Sequence, residues 1–352
     1  MQKRGISPLI ATILIIGFTI ILAALIMTWG LDLYKSIKEE QDIRTETEFI
    51  CASKIAPVVK ASCVRLLPYV KLNIQNNAEK EISSYLIRVK GSNGIGIKNF
   101  TSKINPYGVI NSFVAYQAKN GLVNEIEFIP RVMVRDKERS CNPYKFSPVD
   151  CDRIDFNNLV GFWPMDEGEG NIVYDYSINE NDGTIDGALW INTKLGNGLD
   201  FDGIDDKVSL KRPVDWGTNT LALTFIKTKE IIGGNQIILR NFWDGLSPGR
   251  FCSWLYGNFC ANFNKSMDIN KEYFLSGGFD KNNNLRIYLN NLMVASYQNV
   301  NFRQFNDLRS FGGPSDPDNW GNANFYGIID SVAIYNRDLT FEEINETYNA
   351  LK

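Results

Sequence analysis

The sequence predicts a mainly β protein carried on one long, apolar N-terminal helix. An uncharged run extends from Ile6 to Leu31, whereas much of the later chain alternates apolar and polar residues between turns rich in Gly, Asn and Asp. Such period-two alternation is typical of strands with one buried face. With 352 residues, 44% of them hydrophobic, the chain is long enough for two cored domains after the helix.

Residues 6–50 are predicted to form the helix. About twenty apolar residues span the ~30 Å hydrocarbon core of a bilayer at ~1.5 Å per residue, so the uncharged run is long enough to cross a membrane. Lys3 and Arg4 precede the run, which places the N-terminus in the cytoplasm and the later residues outside. Beyond the span, Leu33 and Ile37 form a stripe that docks either on the same chain's head domain or on a neighbour.

The start of the chain distinguishes this helix from a plain signal anchor or a cleaved secretory signal. The run is longer than the ~7 to 15 residue core of a secretory signal, and Gly5 lies before it, directly after the basic pair. Ser7 is a suitable N-cap and Pro8 a suitable first helical residue. The segment Lys3–Thr12 resembles the class III leader of archaeal type IV pilins and archaellins.

That resemblance implies that residues 1–5 are a leader. A prepilin peptidase would cut between Gly5 and Ile6, and the helix, held in the membrane before assembly, would pack with copies of itself in a filament. Bacterial pilins carry a glutamate where this chain has Ile10. Packing between subunits would therefore rest on apolar contact alone.

Composition indicates an exported protein at the cell surface. A net charge of -3 leaves no basic field for nucleic acid, and the absence of histidine removes His-based catalysis and most zinc sites. Six cysteines then predict disulfides. Two arrangements stay open for them: local pairs, Cys51–Cys63, Cys141–Cys151 and Cys252–Cys260, or a bridge from Cys51 or Cys63 to the 141–151 region. Three glycosylation sequons, at Asn99, Asn264 and Asn345, fit an external location.

Residues 51–135 are predicted to form a small antiparallel β-sandwich without a site of its own. Short alternating runs, such as 70–74 and 85–89, are separated by turn residues, and Asn120-Gly121 is a hairpin signal. Its place after the helix resembles the globular head of archaeal pilins and archaellins. Residues 136–157 then form a linker, stapled by its cysteines.

Residues 158–352 are predicted to form a second β domain. The segments Leu159–Gly170, Gly198–Val208 and Gly327–Arg337 resemble the laminin-G-like, concanavalin A-like jelly-roll domains of many secreted and surface proteins. Leu285–Leu289 reads as a half-buried strand followed by a tight turn at Asn290-Asn291. Thr340 and Glu343 form a capping box that starts a closing helix.

One carboxylate of this domain points to a metal ion. Period two places Asp330 on the core face with Ile328, Val332 and Ile334, where an unpaired charge costs several kcal/mol. Oxygen ligands without histidine favour Ca²⁺, and jelly-roll relatives often hold a structural calcium. Asp166 and Asp175 are the candidate co-ligands. A pairing of Asp330 with backbone amides or an arginine is the alternative.

The remaining candidates concern a ligand surface on loops. Aromatic residues on which a sugar could stack are Trp243, Trp254, Tyr256 and Trp320. Asp202, Asp205 and Asp206 lie beside or close to Gly203, which indicates turn formation. The carboxylate pair of related glycosidases, Glu-x-Asp-x-x-Glu, is missing, so no enzyme activity is expected. The sequence thus predicts a filament subunit displaying a domain that binds a glycan or another surface. The alternative is an anchored surface lectin or receptor that does not polymerise.

Overall fold

A long helix, α1, leads into the two β domains. The computed structural model describes side chains and backbone for residues 9–214, 271–299, 308–313 and 324–352, and the backbone alone for 8, 221–228, 246–247, 250–253 and 259–262. The helix α1 (Pro8–Ser53) has 46 residues, which at ~1.5 Å per residue makes it about 70 Å long. The predicted cleavage position, Gly5-Ile6, lies outside the described residues.

The first half of α1 is long and apolar enough to cross a membrane. Its most apolar 18-residue stretch has a mean hydropathy of 3.0, and none of that stretch is buried in the described part of the chain. Past the first charge, Asp32, the apolar surface continues, since Leu33 is 44% and Ile37 49% exposed. The stripe that these two residues form therefore does not dock on the chain's own head.

The second half of α1 is attached to the first β domain. Ile43 and Ile50 pack against its core, and Glu46 accepts a hydrogen bond of 2.8 Å from Arg135. A disulfide joins Cys51 in the last turn to Cys141. These contacts hold the helix to the domain at its C-terminal end only.

The first β domain is an antiparallel sandwich, as predicted. Alternation along the strands places one side chain in two in a shared core, which includes Leu72, Ile87 and Phe128. One sheet has the order β1-β2-β5 and the other β4-β3-β6-β7, with β8 also paired to β6. The strands are β1 (Pro57–Cys63), β2 (Tyr69–Asn76), β3 (Ser84–Gly91), β4 (Ile95–Phe100), β5 (Val109–Ala115), β6 (Val123–Val134), β7 (Lys137–Ser140) and β8 (Tyr144–Phe146).

Two sequence expectations for this region are wrong, and the open choice between two disulfide arrangements is decided. Asn120-Gly121 does not close a hairpin, because β5 and β6 belong to different sheets and the turn crosses between them. Residues 136–157 are not a separate linker, since β7 and β8 extend the second sheet. In place of the local pairs Cys51–Cys63 and Cys141–Cys151, the disulfides are Cys51–Cys141 and Cys63–Cys151, which bridge separations of 90 and 88 residues. This matches the alternative of bridges to the 141–151 region.

The second β domain contains a sandwich of two antiparallel sheets and a separate three-stranded sheet, β16-β17-β18. Its larger sheet runs β12-β13-β23-β15-β19-β20-β21 with β9 on β23, and its smaller sheet runs β10-β11-β14-β22. Between them lies a core that includes Trp163, Phe201 and Phe311. The strands are β9 (Leu159–Trp163), β10 (Ile172–Val173), β11 (Gly183–Asp186), β12 (Leu189–Asn192), β13 (Asn197–Asp202), β14 (Lys207–Val214), β15 (Leu221–Thr228), β16 (Leu246–Ser247), β17 (Arg250–Ser253), β18 (Phe259–Asn262), β19 (Glu272–Phe279), β20 (Leu285–Leu289), β21 (Leu292–Tyr297), β22 (Leu308–Phe311) and β23 (Tyr326–Tyr335).

Two local predictions for this domain are confirmed. Asn290 adopts a left-handed φ of 60° in the two-residue turn between β20 and β21. The closing helix α2 (Phe341–Leu351) begins with the capping box, in which the Thr340 hydroxyl accepts from the Glu343 amide. The Glu343 carboxylate in turn accepts from the Thr340 amide at 2.9 Å.

The two domains share a buried interface. Tyr69, Phe113 and Leu66 of the first domain form one apolar cluster with Phe162 and Tyr335 of the second. The Tyr335 hydroxyl donates to the Leu66 carbonyl at 2.8 Å. This packing places β2 of the first domain against the outer face of the larger sheet of the second.

Candidate functional site

Asp330 lies at an irregularity of β23. Along β15, Phe225 is opposite Ser331 but Ile226 is opposite Ile329, so Asp330 is an extra residue in a β-bulge. Ile329 and Val332 therefore both face the sandwich core, whereas the Tyr69 hydroxyl lies close to Asp330 and Ser331. The prediction that Asp330 shares the core face with Ile328, Val332 and Ile334 is wrong, because Val332 and Ile334 belong to the sandwich core and Asp330 does not. The bulge turns its carboxylate to the interface between the domains.

The Asp330 carboxylate is buried with little compensation. It is 1% exposed, and no group in the described part of the chain meets hydrogen-bond geometry with either of its oxygens. Burial raises its pKa well above the ordinary value and the charge of Asp166 raises it further, while the adjacent Thr193 hydroxyl and Leu195 amide offset this in part. A partner that neutralises Asp330 would therefore stabilise the fold. The Leu195 amide beside Asp330 keeps the alternative of amide pairing open.

Asp166 lies beside Asp330 and has partners from both domains. Its Oδ1 accepts from the Asn197 amide at 3.0 Å and lies 3.2 Å from the Lys98 ammonium. Lys98 also donates to the Asp166 backbone carbonyl at 2.7 Å. Burial raises the pKa of Asp166, and Lys98 and the Asn197 amide lower it in part. Lys98 thus brings one positive charge from β4 into an acidic region of the second domain.

Asp175 is a different kind of residue. Its Oδ1 accepts from the amides of Phe162 and Ser177, at 2.9 and 2.8 Å. Its Oδ2 accepts from the Asn181 amide and the Ser177 hydroxyl, both at 2.9 Å. N–H and O–H groups point at the oxygens from several sides, which is the environment of a carboxylate that organises a loop. Both Asp175 oxygens already accept hydrogen bonds, so the geometry does not support Asp175 as a calcium ligand together with Asp330.

These residues meet the chemical requirement for calcium only in part. A hard cation needs several oxygens, including charged ones, that are not already occupied by donors. Asp330 supplies two such oxygens, and its neighbours Asp166, Thr193 and Ser331 carry further oxygen atoms. A calcium ion bound here would be held by Asp330 with Asp166. It would supply the positive charge that burial of Asp330 demands.

A second acidic cluster lies in the turn after β13. One carboxylate oxygen from each of Asp202, Asp205 and Asp206 lies within 4.8 Å of the others, which no other trio of such residues achieves in the described ranges. The turn role expected for them is present, since Asp206 accepts from the Asp202 amide and Asp202 from the Ile204 amide, both at 2.8 Å. Two of the three are exposed, so the cluster is a turn with clustered charge.

Sequence reasoning did not single out Glu167. It is partly buried, its Oε1 accepts from the Tyr174 amide at 3.1 Å, and burial raises its pKa to about 7 from 4.5. Asp166 adds to this increase. In the sequence, Glu167 lies between Asp166 and Gly168, a pattern typical of a turn. No local signal therefore predicts that its carboxylate is shielded from solvent.

A cleft of about 430 Å³ lies between the domains, next to Asp166. The first domain contributes β4 and β5, and the second contributes the turn at residues 192–197. The lining combines amides, hydroxyls and an aromatic ring, which are groups that sugars contact. Among them are Asn111, Ser102, Asn192, Thr193, Lys194 and Phe100. Sequence analysis could not find this cleft, because its walls come from segments about 90 residues apart that only folding brings together.

The other predicted positions are distributed as follows. The aromatic candidates Trp243, Trp254, Tyr256 and Trp320 lie outside the described residues, as does Asn264. Cys252 is opposite Cys260 in the backbone register of β17 and β18, but their side chains are outside the described set, so a disulfide there stays a prediction. Asn99 is exposed on β4, an edge strand, and accepts from Arg131 at 3.1 Å. Asn345 lies on α2, and Thr347 of its sequon is buried.

Comparison with known proteins identifies the second domain. A family model described as the concanavalin A-like lectin/glucanases superfamily matches residues 212–345. The chain therefore contains a concanavalin A-like domain, as predicted, after its long apolar helix and first β domain. No curated protein matches the sequence.

Solved structures with a similar arrangement are distant. Domain 4 of an extracellular arabinanase from Geobacillus stearothermophilus, in complex with arabinotriose, is 17% identical, with a TM-score of 0.41, over 54% of this chain and 98% of that one. The binding domain of botulinum neurotoxin serotype D is 16% identical, with a TM-score of 0.41, over 55% and 52%. A Trypanosoma rangeli sialidase, in complex with sialic acid, is 13% identical, with a TM-score of 0.44, over 84% and 53%. The chain thus spans about half the length of the toxin and sialidase chains, and each sugar named belongs to that protein alone.

Proposed function

We propose that the chain is a helix-anchored subunit of a surface filament, in the manner of archaeal type IV pilins, and that its concanavalin A-like domain binds a glycan on another surface. The apolar half of α1 holds the subunit in the membrane before assembly and packs against copies of itself afterwards. The two β domains and their disulfides lie outside the cell. The protein acts by adhesion and not by catalysis.

The observation that carries this proposal is the exposed apolar surface of α1 beyond its first charge. The uncharged part of the described helix, residues 8–31, is about 36 Å long at ~1.5 Å per residue, which already exceeds the ~30 Å core of a bilayer. Leu33, Tyr34 and Ile37 are nevertheless 44%, 63% and 49% exposed. A single anchored subunit gains nothing from this surface, whereas a neighbouring helix would bury it.

Isolation of surface filaments tests assembly against the anchored alternative. We expect this chain to be the repeating subunit of purified filaments, and L33E/I37E to remain in detergent-soluble membrane. The control is K35E/K38E, which changes two exposed lysines on the same part of the helix. Recovery of the wild-type chain only in detergent-soluble membrane would leave the anchored lectin or receptor as the function.

Processing of the leader tests the relation to pilins separately. A class III peptidase cuts after Gly5, so the mature chain should begin at Ile6, and substitution of Gly5 by a bulky residue should block the cut. Mass spectrometry of the mature N-terminus measures both. An unchanged mass in wild-type and variant would show that no leader is removed.

The interdomain cleft is the candidate glycan site among the described residues. It offers hydroxyl and amide partners for a sugar and the rings of Phe100 and Tyr85, which stack on each other with centroids 4.9 Å apart. We expect Asn192→Trp, which fills the cleft, to abolish binding on a glycan array, and Lys60→Trp, at an exposed position on β1, to retain it. Retained binding by Asn192→Trp would assign the glycan to the predicted aromatic loops, residues 241–257 and 312–321.

Calcium and glycosylation complete the proposal. Asp330 and Asp166 hold a structural Ca²⁺, and a glycan is attached first at Asn99, because it is exposed on an edge strand whereas Thr347 beside Asn345 is buried. Loss of one glycan mass in Asn99→Gln measures this glycosylation.

Incubation with a panel of polysaccharides tests the absence of enzyme activity. We expect no hydrolysis. Hydrolysis that disappeared with a single Asp or Glu substitution would show that the protein is an enzyme.

A further inference from the structure

The two disulfides close a small covalent ring between the anchor helix and the second domain. One side of the ring runs along the chain from Cys51 to Cys63, and the other from Cys141 to Cys151. The bonds Cys51–Cys141 and Cys63–Cys151 join the two sides at their ends. The anchor helix enters the ring at Cys51, and the chain leaves it at Cys151 toward β9.

We propose that this ring is a mechanical bypass. Tension between the membrane helix and the concanavalin A-like domain passes through the ring, and the body of the first β domain, residues 64–140, carries none of it. The first domain therefore stays folded under loads that would otherwise unfold it. This property concerns the chain itself and does not depend on the ligand or on assembly.

The protection of the first domain depends on how far each covalent path between Cys51 and Cys151 can extend. Without cross-links, the roughly 100 residues from Cys51 to Cys151 extend to about 360 Å at ~3.6 Å per residue. With Cys51–Cys141, whose Cα atoms are 5.6 Å apart, the path contains only about ten residues and ends near 40 Å. An unfolded first domain would need several times that extension. The ring therefore becomes taut before the domain can open.

Each disulfide alone is sufficient for this effect. If Cys51–Cys141 is broken, the path follows the chain from Cys51 to Cys63 and crosses to Cys151, whose Cα atom is 4.8 Å from that of Cys63. That path has about twelve residues and ends near 50 Å. The two sides of the ring are also hydrogen-bonded to each other, since Cys63 donates to Val149 at 3.0 Å and Val149 to Ala61 at 3.1 Å. The fold thus holds two redundant load paths.

Pulling on single molecules tests the proposal. The full chain, in detergent, is stretched in optical tweezers between tags at its two ends. The variants are C51S/C141S, C63S/C151S and the variant that carries all four substitutions. The second domain, about 190 residues, gives the same extension in every variant and serves as the internal control.

We expect an additional step of about 300 Å, the difference between the two path lengths, only when both bonds are absent. Should the fourfold variant fail to fold, reduction of the folded wild-type protein in the trap by dithiothreitol provides the same comparison. A step of about 300 Å in the oxidised wild type or in either single-pair variant would overturn the proposal. So would its absence from the fully reduced protein.

Discussion

Replacing Asp330 by asparagine separates the effect of its buried charge from the effect of calcium. Asparagine has nearly the same shape and cannot ionise. In the wild type without a cation, burial raises the Asp330 pKa well above its ordinary value of 3.8 and thereby favours the protonated carboxyl in the folded state. At ~1.36 kcal/mol per pKa unit this costs up to about 4 kcal/mol, a ceiling that applies when the folded pKa exceeds 7.

In a chelator such as EGTA, we therefore expect Asp330→Asn to be more stable than the wild type at pH 7, by at most about 4 kcal/mol. The sign follows from the raised pKa: the folded state binds a proton that the unfolded state releases, so the wild type loses stability as pH rises above ~4. At pH 4 the two proteins should converge. Thermal unfolding with the disulfides intact measures the difference.

Calcium should offset this difference. An ion at about 1,000 times its dissociation constant adds ~4.1 kcal/mol to a protein that binds it, and only the wild type has the charged ligand. The control is Asp205→Asn, which removes an exposed carboxylate from the acidic turn. A calcium response lost in Asp205→Asn and kept in Asp330→Asn would move the ion to the turn. A variant less stable than wild type in EGTA would show that the Asp330 carboxylate is already paired.

Three further changes test local interactions by thermal or urea unfolding. Glu167→Gln should raise stability at pH 8 by on the order of 2 kcal/mol and have little effect at pH 4.5. The reason is that burial raises the Glu167 pKa from 4.5 to about 7, so the wild type loses stability as the pH rises across that range. Equal effects at both pH values would refute this explanation. Arg337→Lys should lower the free energy of unfolding by about 1–3 kcal/mol. Arg337 donates to both carboxylate oxygens of Glu343, at 2.8 and 3.1 Å, and to Asp155 at 2.6 Å. Unchanged stability would contradict this prediction. Asn290→Ala should cost about 1–2 kcal/mol, because its φ is 60° and its side chain accepts from the Phe274 amide at 3.0 Å; unchanged stability would contradict it.

The alternating strand patterns predicted much of the fold, because the alternation of apolar and polar residues is a property of a short segment of sequence. Val70, Leu72 and Ile74 alternate in the sequence and are all buried in β2, and Thr340 with Glu343 marked the start of α2. Where the expectation depended on which strand lies beside which, it was wrong. Asn120-Gly121 has the composition of a hairpin turn, yet the strands on its two sides join different sheets. The composition of this segment predicts a turn, but it does not determine which strand the following strand pairs with.

The candidate site was less accessible to sequence reasoning than the fold. Asp330 was correctly expected to be buried, but a single extra residue in β23 moved it to the opposite face. Asp175 has the same residue type as Asp330 and differs only in the donors that surround it. Lys98 approaches Asp166 from another domain, 68 residues away. These relations are properties of packing and have no counterpart in the local sequence.

The sequence by itself determined the apolar helix, the two β domains and the concanavalin A-like character of the second, because each depends on periodicity, composition or motifs within a short segment. The tertiary structure alone decided the disulfide partners, the bulge at Asp330 and the cleft between the domains. All three arise from residues that are distant along the chain, and their proximity depends on how the strands assemble into sheets and how the sheets pack. That is also why the ring between the helix and the second domain becomes visible only in the folded chain.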